Sequence, residues 1–286
     1  MFPAIQIGDL QIPLYGITFL AGLALAIWLG TLIGHRVSLP KADVLYGSLF
    51  AFIGIIVGSK IIYMITVLSG LGEYWELVCR VYSNPFARIV TALTYLLGGY
   101  VYYGGLIGAI LFLYMYCRLY KVDFIAFVDL FSVFIPFVHG IGRIACFLAG
   151  CCYGIEYHGP FAVQFPYHAE IPELSEVTRF PVQLLESGLN FVFFGVMLFL
   201  FFRTGIRKGR LLGIYLLYYV VARFFLEMLR GDSLRGSVGF LSTSQIISLI
   251  LLPIGILLVL KGLPEKLHFR VPPKKTEPAA EAGSPE

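Results

Sequence analysis

Three short runs place ionisable side chains at helical spacing inside stretches that are otherwise apolar. Tyr219, Arg223 and Glu227 follow one another every fourth residue, with Arg230 one turn further on. His139, Arg143 and Cys146 fall at i, i+4 and i+7, and Gln183, Glu186 and Asn190 at i, i+3 and i+7. On a helix each set lines one face. An Arg, Lys or Asp at the centre of a membrane helix costs roughly 2.5–3.5 kcal/mol on insertion scales, so residues kept there ask for a reason. Lys60, Asp129 and Asn190 read as structural: a single polar group near a helix end can snorkel or pair. Arg143 and Arg223 read differently. Two inward guanidiniums, balanced only by Glu186, Glu227 and Asp129, make a poor structural pair and a good phosphate site. The implied ligand is an anion entering from the bilayer, with a phospholipid headgroup the leading candidate. Gly98, Gly99, Gly104, Gly105 and Gly108 cluster around Tyr100, Tyr102 and Tyr103, where backbone can approach either a ligand or another helix.

Such stripes need apolar helices to carry them, and the composition supplies these. The 286 residues are 58% hydrophobic and 13% charged, with mean hydropathy +0.84. Soluble domains run at about 45–50% apolar and about 25% charged, so an ordinary soluble domain, a disordered chain and a disulfide-stapled secreted module are excluded. A net charge of +4, without basic residues gathered on one face, argues against nucleic acid as a partner. Cys79, Cys117, Cys146, Cys151 and Cys152 are odd in number and form no pair of Cys-x-x-Cys motifs, so they read neither as a disulfide framework nor as a zinc site. Cys146, Cys151 and Cys152 are expected to be packing residues, with a bridge to Cys146 as the form any oxidation would take.

Seven segments of about 20 apolar residues, near 12–33, 44–67, 97–117, 123–148, 181–202, 211–229 and 241–260, are long enough to cross the hydrocarbon layer. The fourth is expected to be interrupted by Pro136, Gly140 and Gly142. No basic region precedes the first, which is therefore expected to be retained rather than cleaved as a signal peptide. Segments 34–43, 118–122, 203–210 and 261–286 carry thirteen Lys and Arg, against five in 68–96, 149–180 and 230–240. The positive-inside rule then puts the N-terminus outside and the C-terminus inside. The predicted fold is an all-α integral membrane protein, with one seven-span domain over 1–262 and a disordered cytoplasmic tail over 263–286. Aromatic-rich segments 68–96 and 149–180 are expected to form a small extracytoplasmic head at the headgroup layer.

The motifs, taken in order, resemble those of the bacterial prolipoprotein diacylglyceryl transferases. They are Tyr103-Gly-Gly-Leu-Ile-Gly108, Gly142-Arg-Ile-Ala-Cys-Phe-Leu-Ala-Gly-Cys-Cys-Tyr-Gly154, Phe161-Ala-Val-Gln-Phe-Pro166, Arg179-Phe-Pro-Val-Gln-Leu-Leu-Glu186, and Tyr219-x3-Arg223-x3-Glu227-x2-Arg230. The likeness extends from Tyr15 to Gln245. It implies a seven-span enzyme of the bacterial cytoplasmic (inner) membrane that moves a diacylglyceryl group from phosphatidylglycerol to the lipobox cysteine thiol of a preprolipoprotein. Glycerol phosphate leaves and a thioether remains. Such an enzyme requires neither metal nor other cofactor. By matched position, Arg143 and Arg223 clamp the phosphate, Glu227 orients Arg223, and Tyr15, Gln183 and Glu186 line the cavity. Gly104, Gly105, Tyr219 and Arg230 complete the expected substrate-binding set.

The chain departs from the family pattern where Tyr103 stands for a His, and where Cys146, Ala149 and Cys151 stand for Asn, Asn and Glu. The proton acceptor for the thiol is then expected to be His139 or Tyr103. His139 is favoured, since a free phenol ionises only near pH 10, at about its pKa. A lipid-dependent transferase with another acceptor, and a non-catalytic lipid-binding protein, are the competing readings. A transporter is disfavoured because no internal repeat is found.

Overall fold

The computed structural model describes residues 4–7, 10–166, 173–203, 209–231, 237–238 and 241–267. Helices α1 (Leu14–Ile33), α2 (Lys41–Leu68), α3 (Leu71–Val81), α4 (Pro85–Leu97), α5 (Tyr102–Tyr120) and α6 (Phe124–Ala149) come first. They are followed by the single turn α7 (Glu173–Glu176), then α8 (Val182–Phe202), α9 (Arg210–Glu227) and α10 (Thr243–Lys261). Two short antiparallel hairpins, unforeseen in the sequence, join them. Strands β1 (Ala4–Ile7) and β2 (Leu10–Pro13) pair with Ile5 opposite Ile12, and β3 (Ser237–Val238) and β4 (Leu241–Ser242) pair with Val238 opposite Leu241.

Among the described residues, six helical stretches are long and apolar enough to cross a membrane: 14–37, 41–68, 102–120, 124–149, 182–202 and 244–261. The seventh expected span coincides with α9, an 18-residue helix that carries Arg210, Arg223 and Glu227. Its length suffices; its charges set it apart from the other six.

The expected interruption of the fourth span is corrected by α6, which runs unbroken through Pro136, Gly140 and Gly142. Proline removes a single i→i−4 hydrogen bond, and packing against neighbouring helices outweighs that loss. Phe127, Leu130 and Val133 of α6 are fully buried. Helix ends follow local chemistry. Asn84 caps α4 ahead of Pro85, and Ser242 and Gln245 close a reciprocal capping box on α10.

The chain divides into two compact units, 1–48 with 125–265 and 49–124 with 266–286, the division falling within α2. In the second unit α2 and α5 meet backbone to backbone. A Cβ on Gly108 would lie 2.0 Å from the Gly54 carbonyl oxygen, and one on Gly104 2.4 Å from that of Gly58. Helices α3 and α4 form a hairpin whose Tyr74 and Tyr95 rings stack at 4.0 Å. Lys60 of α2 donates to the Leu97 and Gly99 carbonyls and lies over the Tyr100 ring, so its charge neutralises a helix C-terminus.

In the first unit α6 packs on α1 and α8. Gly22 faces Ile141, Ser187 donates to the Gly140 carbonyl at 2.9 Å, and Phe137 meets Phe191 and Phe194. Phe193 of α8 stacks on Tyr218 of α9 at 3.8 Å, and α9 lies against α10 at Gly213 and Gly255. Asp129 accepts the buried Gly209 amide at 2.9 Å, and Asn190 donates to the Glu186 carbonyl. These are the structural roles expected for both. The expected tail is described only as far as the 3-10 turn Glu265–Leu267, so 268–286 lie outside the described residues.

Candidate active site

Helices α6, α8 and α9 bring their polar stripes together inside the first unit. Arg143 Nε lies 3.0 Å from Glu186 Oε1, and His139 Nε2 lies 3.2 Å from the same oxygen. Arg143 Nε and His139 Nε2 are themselves 3.3 Å apart. Arg143 Nε donates toward His139 Nε2, and both nitrogens lie within ion-pair distance of the one Glu186 oxygen, so the three groups form a single tight cluster. Glu186 is buried, and so is Gln183 one turn earlier, whose Nε2 donates to the Cys151 carbonyl at 2.8 Å.

A second ion pair lies on α9. Arg223 Nη2 is 2.8 Å from Glu227 Oε2 and also donates to Ser244 Oγ of α10 at 2.8 Å. Among the described residues, the buried Arg223 Nη1 has no hydrogen-bond partner. Glu186 attracts both Arg143 and Arg223, while Arg230 repels both. Tyr219 brings its ring to 6.2 Å from that of His139. Three arginines against two carboxylates leave one positive charge in a largely buried setting, which matches a singly charged phosphodiester.

The segment after α6 closes this cluster. Gly150, at φ 74°, ends the helix; its amide bonds the Phe147 carbonyl, and the Cys151 amide bonds the Cys146 carbonyl. This is a Schellman stop, which folds the chain back over the last turn of the helix. The strand-like residues beyond it run between 178–180 and 229–231. Gly154 pairs with Arg230, and a Cβ there would lie 2.3 Å from the Phe180 carbonyl oxygen. Arg179 stacks on Tyr153, and Tyr153 packs with Phe165 and Phe147. Tyr15, at the start of α1, stacks on Phe19 and interacts electrostatically with Arg143 and with Cys146, Cys151 and Cys152.

Of the expected site residues, His139, Arg143, Gln183, Glu186, Tyr219, Arg223, Glu227, Arg230 and Tyr15 all belong to the first unit. Tyr103, Gly104 and Gly105 belong to the second. There Gly104 and Gly105 are buried against α2, which is the helix-contact reading of these glycines, and Tyr103 is exposed with its ring beside Tyr102. Sequence reasoning allowed for a bridge to Cys146 but missed that Cys146, Cys151 and Cys152 all converge, with sulfurs within 4.8 Å of one another. The pattern Cys-x3-Gly-Cys carried that signal, since a Schellman stop at the glycine brings its flanking positions into contact.

The sequence profile of the prolipoprotein diacylglyceryl transferases matches residues 3–261. The chain belongs to this family. Among related proteins, the phosphatidylglycerol-prolipoprotein diacylglyceryl transferase 2 of Clostridium perfringens is 32% identical, over 88% of this chain and 92% of the relative. The corresponding transferase of Clostridium tetani is 34% identical, over 73% and 76% of the two chains. That of Bacillus cytotoxicus is 30% identical, over 90% of each. This member of the prolipoprotein diacylglyceryl transferase family is thus a membrane transferase, with the arginine-carboxylate cluster on three of its helices.

Proposed function

We propose that this chain transfers the diacylglyceryl group of phosphatidylglycerol to the lipobox cysteine of a prolipoprotein, in the bacterial inner membrane. The observation that carries the reading is the set of three arginines against two carboxylates, built around the buried Arg223 and Glu186, in a chain of this family. Transfer begins when a base removes the thiol proton. The sulfur attacks the glyceryl carbon bearing the phosphate ester, the carbon–oxygen bond breaks, and glycerol phosphate leaves with the electron pair. Negative charge grows on the departing phosphate, where Arg143 and Arg223 stabilise it as fixed donors in a water-poor site. Glu227 holds Arg223, and Glu186 holds Arg143 and His139. His139 is the favoured base, with Tyr103 the alternative, while Tyr15, Gln183, Tyr219 and Arg230 line the lipid headgroup. Tyr103, Gly104 and Gly105 are kept as proposed site residues on the likeness of their motif to the family pattern alone.

The proposed topology counts α9 as a seventh span, with the N-terminus outside, the C-terminus inside and an outer head from 68–96 and 149–180. The asymmetry of basic residues supports it. The test is rescue of a strain depleted of its own transferase, read as diacylglyceryl modification of a lipobox reporter. Rescue by this chain and loss of rescue with Arg143→Ala are expected. Growth without reporter modification would remove the reading.

A further inference from the structure

Cys146, Cys151 and Cys152 form, among the described residues, the one group whose sulfurs converge as metal ligands do, all within 4.8 Å of one another. In a tetrahedral zinc-thiolate site with zinc–sulfur bonds of about 2.3 Å, the sulfurs lie about 3.8 Å apart. Side-chain rotation supplies a contraction of that size. The convergence has a backbone cause. At a Schellman stop the positions four before and one after the left-handed glycine touch, usually through apolar side chains. Here those positions are Cys146 and Cys151. The third sulfur arrives because Cys152 has φ 57°. A left-handed conformation costs a non-glycine residue roughly 1–2 kcal/mol, and packing of two helix-end residues does not call for it.

The surroundings fit a charged centre with one open side. Cys146 is buried, Cys152 partly so, and Cys151 exposed. Three thiolates on a divalent ion carry one negative charge, and Arg143, one turn before Cys146, interacts electrostatically with Cys146 and Cys152. Gln183 fixes the loop through the Cys151 carbonyl. All three thiols are unbridged, and a disulfide between any two would leave the third unused.

We propose that Cys146, Cys151 and Cys152 bind zinc(II) through three thiolates, and that the open fourth position takes the acceptor thiol as its thiolate. Loading releases three protons from the protein. Coordination of the acceptor releases a fourth, which passes to the base of the transfer step, His139, and the acceptor sulfur then forms the bond to carbon described above. A zinc-bound thiol is deprotonated outright, and three protein ligands with one open position is the pattern of catalytic zinc. The acceptor half of this proposal rests on the transfer reading. The metal half does not.

The test uses the full chain purified reduced in detergent. Zinc content after reconstitution is expected to be one ion per chain, and cobalt(II) in its place is expected to show thiolate charge-transfer bands with a tetrahedral visible spectrum. Cys151→Ser, at the exposed position, is expected to weaken zinc binding by at least ~10–100-fold, the loss produced by removing even an outer partner of a ligand. A lipobox peptide with cysteine should shift the cobalt spectrum, and its serine counterpart should not. Folded, reduced wild-type chain that takes up neither zinc nor cobalt overturns the site. So does a Cys146–Cys151 disulfide in the chain as isolated. A cobalt spectrum indifferent to the cysteine peptide overturns the acceptor role. Full transfer by zinc-free chain overturns the metal's role and leaves the transferase reading intact, whereas zinc binding without transfer does the reverse.

Discussion

Glu186 Oε1 lies within ion-pair distance of both Arg143 and His139, so one buried carboxylate positions the groups proposed for the phosphate clamp and the base. Removing it leaves the Arg143 guanidinium buried without its partner. Glu186→Ala should therefore destabilise the chain by about 3 kcal/mol, read from unfolding in detergent, and should abolish transfer. Arg143→Lys and Arg223→Lys keep the charge but lose the planar fork that grips a phosphate. Each should lower transfer more than it lowers the amount of folded protein, and equal losses in both would remove the clamp. For the base, His139→Gln and Tyr103→Phe at matched expression are compared by diacylglyceryl transfer to a lipobox peptide. Loss with the first alone is expected; loss with the second alone would move the assignment to Tyr103. These residues are legible because ionisable groups at helical spacing stand out in apolar sequence, and His139, Arg143, Glu186, Arg223 and Glu227 all do so. Partnering is less legible. Nothing in the spacing says that Glu186 serves α6, or that Asp129 serves the Gly209 amide across the chain.

Six helices, α1, α2, α6, α8, α9 and α10, are placed within a few residues by hydropathy, whereas α5 begins at Tyr102 and not near 97. The misreading at α6 comes from treating Pro136 and two glycines as breaks, although enclosure by neighbouring helices holds that helix together. The glycines of α5 illustrate a different limit. Composition permits either ligand or helix contact, and only the register against α2 brings Gly108 opposite Gly54. Adding a side chain there must push the two backbones apart. Gly108→Val is expected to destabilise the chain by at least about 1–3 kcal/mol, the usual cost of overpacking, measured as a lowered midpoint of thermal unfolding. Gly188→Ala, where a Cβ meets nothing within 4 Å, is the control and should leave that midpoint unchanged.

Across the whole chain, the proposed topology and the proposed chemistry both turn on one helix. α9 carries Arg223 and Glu227, and together with Arg210 these charges separate it from the six apolar helices. Counting it as a span puts segment 203–210 on the cytoplasmic side, with its four basic residues. A reporter fused in that segment should be active only in the cytoplasm, and activity of an outer-side reporter there would reject the seven-span arrangement. The central claim is that the buried arginine cluster drives diacylglyceryl transfer from phosphatidylglycerol to a lipobox thiol. Its most direct test is mass spectrometry of a lipobox-cysteine peptide incubated with the purified chain and phosphatidylglycerol vesicles. A thioether-linked diacylglyceryl adduct with release of glycerol phosphate is expected, both absent with Arg143→Ala. An unmodified peptide with the folded wild-type chain, or undiminished modification with Arg143→Ala, would contradict it.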